Sequence, residues 1–514
     1  MNSAKEILLL AVVAATGFTS VPLTCAAEPG SLAQHKPNVL IIVTDDLGYH
    51  DLGFQGSSDI PTPNLDNLVK HGVRFTQAYV TAPICGASRA GLLSGRYQQR
   101  HSYESNPGPA QGLNVNEATI ATAFHDAGYA TGAFGKWSVG QLPQFRPLNR
   151  GFDEFFGFLG MMHPYVPGPV DPAVRMIGEP LRPGWGGDSP ATRSARDSAD
   201  AHPNFNRGPG TFPAGFGGGG VGGGGGNGVI GADAGHFVRN NKDVTEDNYA
   251  TEAFAREAIN FIDHHKGSPF FVYLAFNASH SPLQPTQKYL DRFPNLTGKH
   301  KLYAATTAAM DDAVGAVIEK LEQTGERDNT VIAFINDNGG PINDITANNS
   351  PLSGAKASMW EGGIRVASFF NWPGHLPEGV VVEQPIISLD YFPTLLAATG
   401  VPTPAGKQFE GRSLLPLING QDTTSFQNRT LYWRMGNVWA IREGNWKLEI
   451  PQRNVKTPLL FNLADDIAET KDVAGDHPDV VAHLAEEWNA WNAKNLPAPA
   501  GFGGGIHKQA AIEK

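Results

Sequence analysis

The chain has 514 residues, of which 41% are hydrophobic, 10% aromatic and 17% charged. This apolar content is enough for a large buried core and excludes a disordered protein. With 39 Lys and Arg against 50 Asp and Glu, the net charge is −11, which argues against nucleic-acid binding through phosphate contacts. Because ordinary domains have about 100 to 200 residues, we expect one large α/β domain and a smaller one.

The first residues have the pattern of a secretory signal peptide. Lys5 precedes an apolar run over 7–16, and a Cys-Ala-Ala sequence ends at Ala27. We therefore predict a signal peptide over 1–27 and an exported protein, periplasmic or extracellular. No later apolar run reaches the roughly 18 residues of a membrane span, so no span is expected.

Apolar runs alternate with helical patterns through the central part of the chain. Strands are predicted at 38–43, 130–134, 270–276 and 330–335, and helices at 62–71, 119–127, 248–264 and 302–323. Alternation of this kind is typical of a mostly parallel sheet with helices on both faces.

Two other regions differ from this pattern in composition. Residues 208–231 contain 14 glycines in 24 positions and no charge, which favours a flexible surface insertion. Beyond about residue 380, short strands at 430–434, 438–442, 446–450 and 459–462 precede a helix at 479–492. We predict a large domain over 28–380, a C-terminal subdomain with a small antiparallel sheet and a helix over 381–496, and a tail over 497–514.

Polar residues follow each of the four central strands. In chain order they are Asp45 with Asp46, Lys136, His280, and Asp337 with Asn338. Each alone has an ordinary explanation as a helix cap, a turn or a surface group. Together they would meet at one edge of the sheet, because ligands bind beyond the carboxyl ends of parallel strands. An all-oxygen set from Asp45, Asp46, Asp337 and Asn338 suits Ca²⁺ or Mg²⁺ rather than zinc, and we favour Ca²⁺.

Cys85 has no partner for a disulfide. The chain has two cysteines, and removal of the signal peptide takes Cys25 away. A lone cysteine is often a small buried residue. However, Cys85 stands where a loop runs into a helix, with Arg89 one turn later. A helix N-terminus beside a guanidinium group suits an anion.

These motifs resemble those of the formylglycine-dependent sulfatases, the type I, arylsulfatase-like group of the alkaline phosphatase superfamily. The segment Cys85-Gly86-Ala87-Ser88-Arg89 is similar to the family's Cys-x-Pro/Ala-x-Arg signature, in which the cysteine is oxidised to formylglycine. Further similar motifs lie, in the family's order, at 45–48, 135–137, 149–153, 337–340 and 356–365. The resemblance covers 36–463. It implies a large mixed, mostly parallel sheet between helices, with a catalytic domain over 28–380 and a smaller C-terminal α+β subdomain.

The resemblance also implies the nucleophile and its cofactors. A formylglycine-generating enzyme would convert Cys85 to an aldehyde, whose hydrate attacks the sulfate ester and whose second hydroxyl later expels sulfate. The implied metal ligands are Asp45, Asp46, Cys85, Asp337 and Asn338, with Ca²⁺ as the cation and Mg²⁺ as the alternative.

Four further roles follow from the resemblance. Lys136 and Lys356 would neutralise charge on the sulfate oxygens, and Arg89 would hold the formylglycine in place. His280 would protonate the leaving group.

Ser138 departs from the family's pattern. The family commonly reads Gly-Lys-Trp-His-Leu-Gly where this chain reads Gly-Lys-Trp-Ser-Val-Gly at 135–140. A serine hydroxyl cannot act as a base near neutral pH, so the catalytic contribution of Ser138 must differ from that of a histidine. His50 and His163 are candidates for the missing role, with a surface position or a substrate contact as the alternative for both.

The sequence thus predicts an exported sulfatase that acts on sulfate esters. A sulfated carbohydrate is the favoured substrate, because an exported, acidic protein with many aromatic residues suits soluble polysaccharide fragments. A phosphatase or phosphonate hydrolase of the same superfamily is one alternative, which the signature at Cys85 disfavours. A catalytically impaired carbohydrate-binding relative is the other, and the retained metal ligands and His280 disfavour it.

Overall fold

The computed structural model describes residues 36–106, 111–166 and 237–498. The predicted signal peptide, the glycine-rich insertion and the tail from residue 499 onwards lie outside these ranges.

The strands of the described residues are β1 (Asn38–Thr44), β2 (Val73–Tyr79), β3 (Ala130–Lys136), β4 (Glu154–Phe158), β5 (Phe237–Arg239), β6 (Lys242–Val244), β7 (Phe270–Ala275), β8 (Thr330–Asn336), β9 (Arg365–Asn371), β10 (Val380–Val382), β11 (Ile386–Ile387), β12 (Thr430–Met435), β13 (Val438–Glu443), β14 (Trp446–Ile450) and β15 (Leu459–Asn462).

The α-helices of the same ranges are α1 (Pro63–Lys70), α2 (Cys85–Ser94), α3 (Ile120–Asp126), α4 (Ala250–His264), α5 (Gln287–Leu290), α6 (Gly298–Thr324), α7 (Ile342–Ile345), α8 (Glu361–Ile364), α9 (Tyr391–Thr399), α10 (Leu415–Ile418), α11 (Thr423–Gln427) and α12 (Pro478–Asn492). Short 3-10 turns lie at Gly53–Gln55, Gln98–His101, Pro143–Phe145, Pro147–Arg150 and Ser388–Asp390.

A large mixed sheet forms the centre of the fold. Its described strands run in the order β10-β2-β9-β8-β1-β7-β3-β4-β5-β6, and β11 also pairs with β2. The four central strands β8, β1, β7 and β3 are parallel to one another. Strand β9 is antiparallel to both β8 and β2. The predicted fold class, a mostly parallel sheet flanked by helices, is confirmed.

Strand β1 shows why both faces of this sheet are covered. All seven of its residues are buried. Val39, Ile41 and Val43 belong to a core that includes residues of α2, α3 and α9. Leu40 and Ile42 belong to the opposite core, with residues of α1, α4 and α6. A continuous apolar run is what a strand between two layers of helices requires.

A second, four-stranded sheet lies near the C-terminus and runs antiparallel in the order β12-β13-β14-β15. Helix α12 packs on it through Leu484, Trp488 and Trp491. Upstream, β11 still pairs with β2, and α9 still packs on the large sheet. The domain division after residue 380 therefore stays a prediction.

Seven of the larger sheet's described strands were not predicted from the sequence, namely β2, β4, β5, β6, β9, β10 and β11. Strand β2 is only partly buried and β4 has five residues with a glycine, so neither gives a long apolar or alternating run.

No helix of the described residues is long and apolar enough to cross a membrane.

Candidate active site

The carboxyl ends of β1, β3, β7 and β8 carry the polar residues that the sequence analysis identified. Thr44 at the end of β1 pairs in register with Asn336 at the end of β8, and Val43 pairs with Ala275 of β7. The backbone joins the loops beyond these ends, because Asp337 N donates to Thr44 O at 3.0 Å and Asp45 N donates to Ala278 O at 2.9 Å. The predicted convergence at one edge of the sheet is confirmed.

Cys85 is the first residue of α2 and is fully buried. Its Sγ lies 3.6 Å from Oδ1 of Asp45. One ligand atom each from Asp45, Asp46, Cys85 and His280 lies within 4.8 Å of the other three. Burial, with the Asp45 carboxylate beside it, raises the pKa of the Cys85 thiol to about 12. The unmodified thiol is therefore protonated near neutral pH and is a poor nucleophile.

Two lysines contact the paired aspartates. Lys136 Nζ lies 2.5 Å from Asp45 Oδ2, and Lys356 Nζ lies 2.7 Å from Asp46 Oδ1. Although burial opposes ionisation, Lys136 and the neighbouring cations hold the pKa of Asp45 well below its usual range. Although burial acts against both shifts, Asp45 raises the pKa of Lys136 and Asp46 raises that of Lys356. Both lysines therefore stay charged, at the position where the resemblance implies cations facing a sulfate group.

Arg89 lies one turn after Cys85 in α2 and is buried in the same cluster. Its Nε and Nη2 each lie 2.9 Å from Asp337 Oδ2, and its Nη1 donates to Lys136 O at 3.0 Å. The contacts of the guanidinium group thus fix Asp337 and the end of β3, whereas the expected contact with a modified Cys85 stays a prediction. Burial and the nearby Asp45 carboxylate raise the pKa of Asp337 to about 7.

His280 lies on the loop after β7. Its Nδ1 is 2.6 Å from Ser281 O, and since a carbonyl can only accept, this hydrogen bond assigns the ring proton to Nδ1. The other nitrogen, Nε2, lies 3.5 Å from Asp46 Oδ2. Burial, followed by the Lys356 charge, lowers the pKa of His280. Its side chain keeps 16% exposure, so a substrate can reach it.

His50 and His163 are the two histidines predicted as candidates for the role that Ser138 cannot fill. The ring of His163 packs against Phe158 and Phe237, and its Nδ1 lies 2.6 Å from Pro164 O. The ring of His50 lies against Gly56. Among the described residues, His280 and neither of these two histidines belongs to the cluster around Cys85. Substrate contacts by His50 and His163 stay a prediction.

Ser138 lies two residues beyond Lys136 at the end of β3. It is buried and has a φ of 61°, and its backbone N donates to Leu159 O. Its Oγ makes no hydrogen bond with any residue in the described ranges.

The donor set of this site fits a divalent cation. Asp337 Oδ1 and Asn338 Oδ1 are buried and accept no hydrogen bond from a described residue. Unpaired buried oxygens are costly unless a ligand or cation completes them. The cluster of acidic, cysteine and histidine ligands around Cys85 differs from the predicted set in two respects, since it includes His280 and leaves out Asp337. Asp337 instead shares its Oδ2 with Arg89.

Comparison with known proteins assigns the family. A model of the sulfatase family matches residues 37–401, more than half of the chain. The chain belongs to the sulfatase family. A second model, described as the C-terminal part of N-sulphoglucosamine sulphohydrolase, matches 355–494. The predicted membership in the alkaline phosphatase superfamily and the predicted class of enzyme, a sulfuric ester hydrolase, are confirmed.

Several relatives are similar over most of their length. Arylsulfatase D of Homo sapiens is 33% identical, with 88% of this chain and 85% of the relative covered. Steryl-sulfatase of Mus musculus is 31% identical, with 96% and 88% covered. Among solved structures, Ps i-CgsB in complex with k-i-k-neocarrahexaose has a TM-score of 0.75 and 34% identity, with 90% of this chain and 94% of that chain covered.

Sequence reasoning missed two asparagines beside the site. Asn336 at the end of β8 donates from Nδ2 to Leu47 O at 2.8 Å and to Asn338 O. Asn349, in the loop after α7, forms hydrogen bonds with three loops of the site. The Asn-Asp-Asn run at 336–338 could have indicated the first. Nothing in the local sequence indicates the second.

Proposed function

We propose that this sulfatase is exported and releases sulfate from a sulfated carbohydrate, using Cys85 as formylglycine and a divalent cation, with Ca²⁺ preferred over Mg²⁺. The observation that carries the proposal is the position of Cys85, buried at the start of α2 with Sγ 3.6 Å from Asp45. Burial raises the pKa of the Cys85 thiol, which makes the unmodified thiol a poor nucleophile and supports its conversion into another group.

The modified residue would supply the nucleophile. One hydroxyl of the hydrated aldehyde would attack the sulfur and release its proton to solvent, the bond from sulfur to the ester oxygen would break, and the alcohol would leave with a proton from His280. The second hydroxyl would then pass its proton to the neutral His280, the bond from carbon to the sulfated oxygen would break, and sulfate and the aldehyde would be released. His280 is the proposed proton donor to the alcohol in its imidazolium form, in which Nδ1 keeps its hydrogen bond to Ser281 O and Nε2, directed into the cluster, carries the proton that is transferred.

The cations of the site bind and orient the sulfate group. Lys136 and Lys356 lie on the two aspartates that face Cys85. Asp45, Asp46, Asp337 and Asn338 would hold the divalent cation, which supplies Lewis-acid polarisation when bound. Arg89 acts through Asp337, which its two nitrogens fix in one orientation.

A carbohydrate substrate is favoured over an aryl or steryl ester by two observations. The solved structure with 34% identity holds a neocarrahexaose oligosaccharide. The chain also carries the signal-peptide pattern over 1–27, and export would bring the enzyme to where polysaccharides are found. Because two relatives are named arylsulfatase and steryl-sulfatase, an aryl sulfate and a steryl sulfate are the substrates to compare with the oligosaccharide.

The decisive experiment joins mass spectrometry with an assay. The protein is produced with and without a formylglycine-generating enzyme and cut with trypsin, which gives a Cys85 peptide over 75–89. The peptide should show replacement of CH₂SH by CHO, and sulfate release from the neocarrahexaose should rise with the converted fraction. Hydrolysis of phosphate or phosphonate esters instead would favour the other hydrolases of the superfamily. Binding without hydrolysis by fully converted protein would favour an impaired relative.

Export has a separate test. Expression of the full chain in a bacterial host, followed by fractionation and N-terminal sequencing, should give mature protein that begins at residue 28 outside the cytoplasm. Retention of residues 1–27 on a cytoplasmic protein would contradict the export proposal without affecting the chemistry.

A further inference from the structure

We propose that Asn349 is a positioning residue that fixes three loops of the active site relative to one another, and through them the lysine and the metal ligands. The inference rests on the proposed function, because it concerns the same site. Asn349 is 1% exposed and lies in the irregular segment after α7.

The side chain of Asn349 uses its whole hydrogen-bonding capacity on backbone groups. Its Oδ1 accepts from Tyr49 N at 3.3 Å and from Gly340 N at 3.1 Å. Its Nδ2 donates to Gly340 O at 2.8 Å and to Gly354 O at 3.1 Å. A carboxamide offers two donors and two acceptor sites, and all four are used here.

Each of these three backbone partners stands close in sequence to a candidate site residue. Tyr49 follows Asp46 by three residues, and Gly340 follows Asn338 by two. Gly354 precedes Lys356 by two. The contacts of Asn349 with these three backbone partners form a junction of three loops. A shift of this junction must therefore move the loops that carry the two oxygen ligands and the lysine.

The contacts and the backbone conformation of Asp46 explain why the three loops must be held in place. Asp46 receives Asn338 Nδ2 at 2.7 Å and Lys356 Nζ at 2.7 Å, so residues of all three loops meet on its carboxylate. Asp46 also has a φ of 62°, a conformation that costs energy for a residue other than glycine. The surrounding structure must maintain it.

The junction leaves little room for water to replace the amide. A Cβ added to Gly48 would lie 2.4 Å from Asn348 O, and one added to Gly340 would lie 2.8 Å from Gly48 N. The backbones are thus in close contact. Removal of the carboxamide would leave buried N–H and C=O groups without partners in a space too tight for solvent to enter freely.

Asn371 provides a matched control. It is 0% exposed, and its Nδ2 donates to Leu68 O at 2.9 Å and to His71 O at 2.6 Å, while its Oδ1 accepts from Arg327. It pairs in register with Ile332 near the start of β8, at the opposite edge of the sheet from the site. Asn371→Ala therefore removes a similarly buried and bonded carboxamide that has no link to the active-site loops.

The test compares Asn349→Ala with Asn371→Ala in formylglycine-converted protein. Steady-state kinetics with 4-nitrophenyl sulfate and calorimetric titration with Ca²⁺ alone are measured well below the melting temperature of each variant. We expect Asn349→Ala to lower kcat/KM and to weaken Ca²⁺ binding by about 10- to 100-fold each. We expect Asn371→Ala to change both by less than about threefold, since distant sites act independently.

Two results would overturn the inference. One is a pair of variants with the same kcat/KM and the same Ca²⁺ affinity. The other is a failure of both Asn349→Ala and the nearly isosteric Asn349→Asp to fold, which would make the role purely structural. A wild-type protein that neither binds Ca²⁺ nor releases sulfate would instead overturn the proposed function, which the wild-type arm detects by itself.

Discussion

Two of the buried charged clusters in the described part of the chain differ in how their carboxyl groups are balanced. The site cluster consists of Asp45, Asp46 and Asp337 with Arg89, Lys136, Lys356 and His280. The Lys447 cluster consists of Lys447 with Glu361, Glu449 and Glu469, and it lies where the C-terminal sheet meets α8. Both contain three carboxyl groups, and both are built from residues far apart in sequence.

In the Lys447 cluster a single ammonium group serves three carboxyl groups. Lys447 Nζ lies 2.6 Å from Glu469, 3.1 Å from Glu361 and 3.3 Å from Glu449, and all four side chains are 0% exposed. Burial raises the pKa of both Glu469 and Glu449. Although burial also acts on Glu361, Lys447 and two arginines hold its pKa at about 2. Protons therefore balance this cluster.

In the site cluster cations balance most of the charge, although the pKa of Asp337, raised by burial to about 7, leaves that carboxyl group partly protonated near neutral pH. Part of this cluster is also open to solvent. Each aspartate has its own cationic partner, in Lys136, Lys356 or Arg89. The side chains of His280 and Lys356 are 16% exposed, in contrast to the closed Lys447 cluster. Unpaired acceptor oxygens occur in both, so they do not by themselves distinguish a functional site. Access from solvent and the cysteine at a helix start do.

The largest effect should come from Cys85→Ala. We expect the rate of sulfate release to fall by at least about 10³-fold, because the nucleophile is lost. The free energy of unfolding should fall by only about 1 to 2 kcal/mol, since the substitution removes one sulfur atom from a buried site. Sulfate release and urea unfolding measure the two effects. Activity retained by Cys85→Ala would mean that Cys85 is merely structural.

Lys447→Met should show the opposite pattern. Removal of the ammonium group leaves Glu449 and Glu469 without their cationic partner and Glu361 with the two arginines alone, and the free energy of unfolding should fall by about 3 to 5 kcal/mol. The kcat/KM of the folded protein should change by less than about threefold. Lys320→Met is the control, because Lys320 pairs with the exposed Asp263 and should cost about 0 to 1 kcal/mol. A loss of activity without a loss of stability would place Lys447 in the catalytic machinery.

Chelation should affect the site cluster alone. At a Ca²⁺ concentration of about 100 times its Kd, binding to the folded state contributes about 2.7 kcal/mol, which EDTA should remove together with activity. Readdition of Ca²⁺ should restore both, and Mg²⁺ is the comparison ion. Differential scanning fluorimetry measures the shift in melting temperature. If activity survives EDTA treatment and elemental analysis finds no metal, the proposed cation site is wrong.

The sequence contained enough information for the central strands and much of the site. Strands β1, β7 and β8 are apolar runs bounded by polar residues, and the residues that follow them converge because parallel strands end at one edge. The edge strands were missed because they are short or partly buried. Strand β9 was missed because its antiparallel pairing with β8 and β2 has no signature in a local window.

The contacts that link distant segments could not be predicted. Asn349 meets Tyr49 across 300 residues of sequence, and its neighbours in the chain give no sign of that contact. Lys447 and Glu469 form part of a buried network, although in sequence both look like ordinary surface charges. The position of His280 relative to Cys85 likewise depends on how two loops pack. No local sequence pattern shows which of His50, His163 and His280 lies in the cluster with Cys85.

The smallest expected effect concerns the protons that balance the Lys447 cluster. Burial, with Glu449 beside it, raises the pKa of Glu469 well above its usual value, so the folded protein keeps a proton that the unfolded chain releases above about pH 4.3. Stability from this proton is full below the unfolded-state pKa and is lost as the pH rises through the folded-state pKa. Over that window the slope is at most about 1.4 kcal/mol per pH unit.

Glu469→Gln tests this account, because glutamine resembles the protonated acid and cannot ionise. The variant should lose less stability than the wild type as the pH rises above about 4.3, and urea unfolding at a series of pH values measures both curves. Asp337 contributes its own pH dependence through its raised pKa. That contribution is present in both proteins and cancels in the difference between the curves. Parallel curves would mean that Glu469 is ionised in the folded state, and the contrast between proton balance and cation balance would then fail.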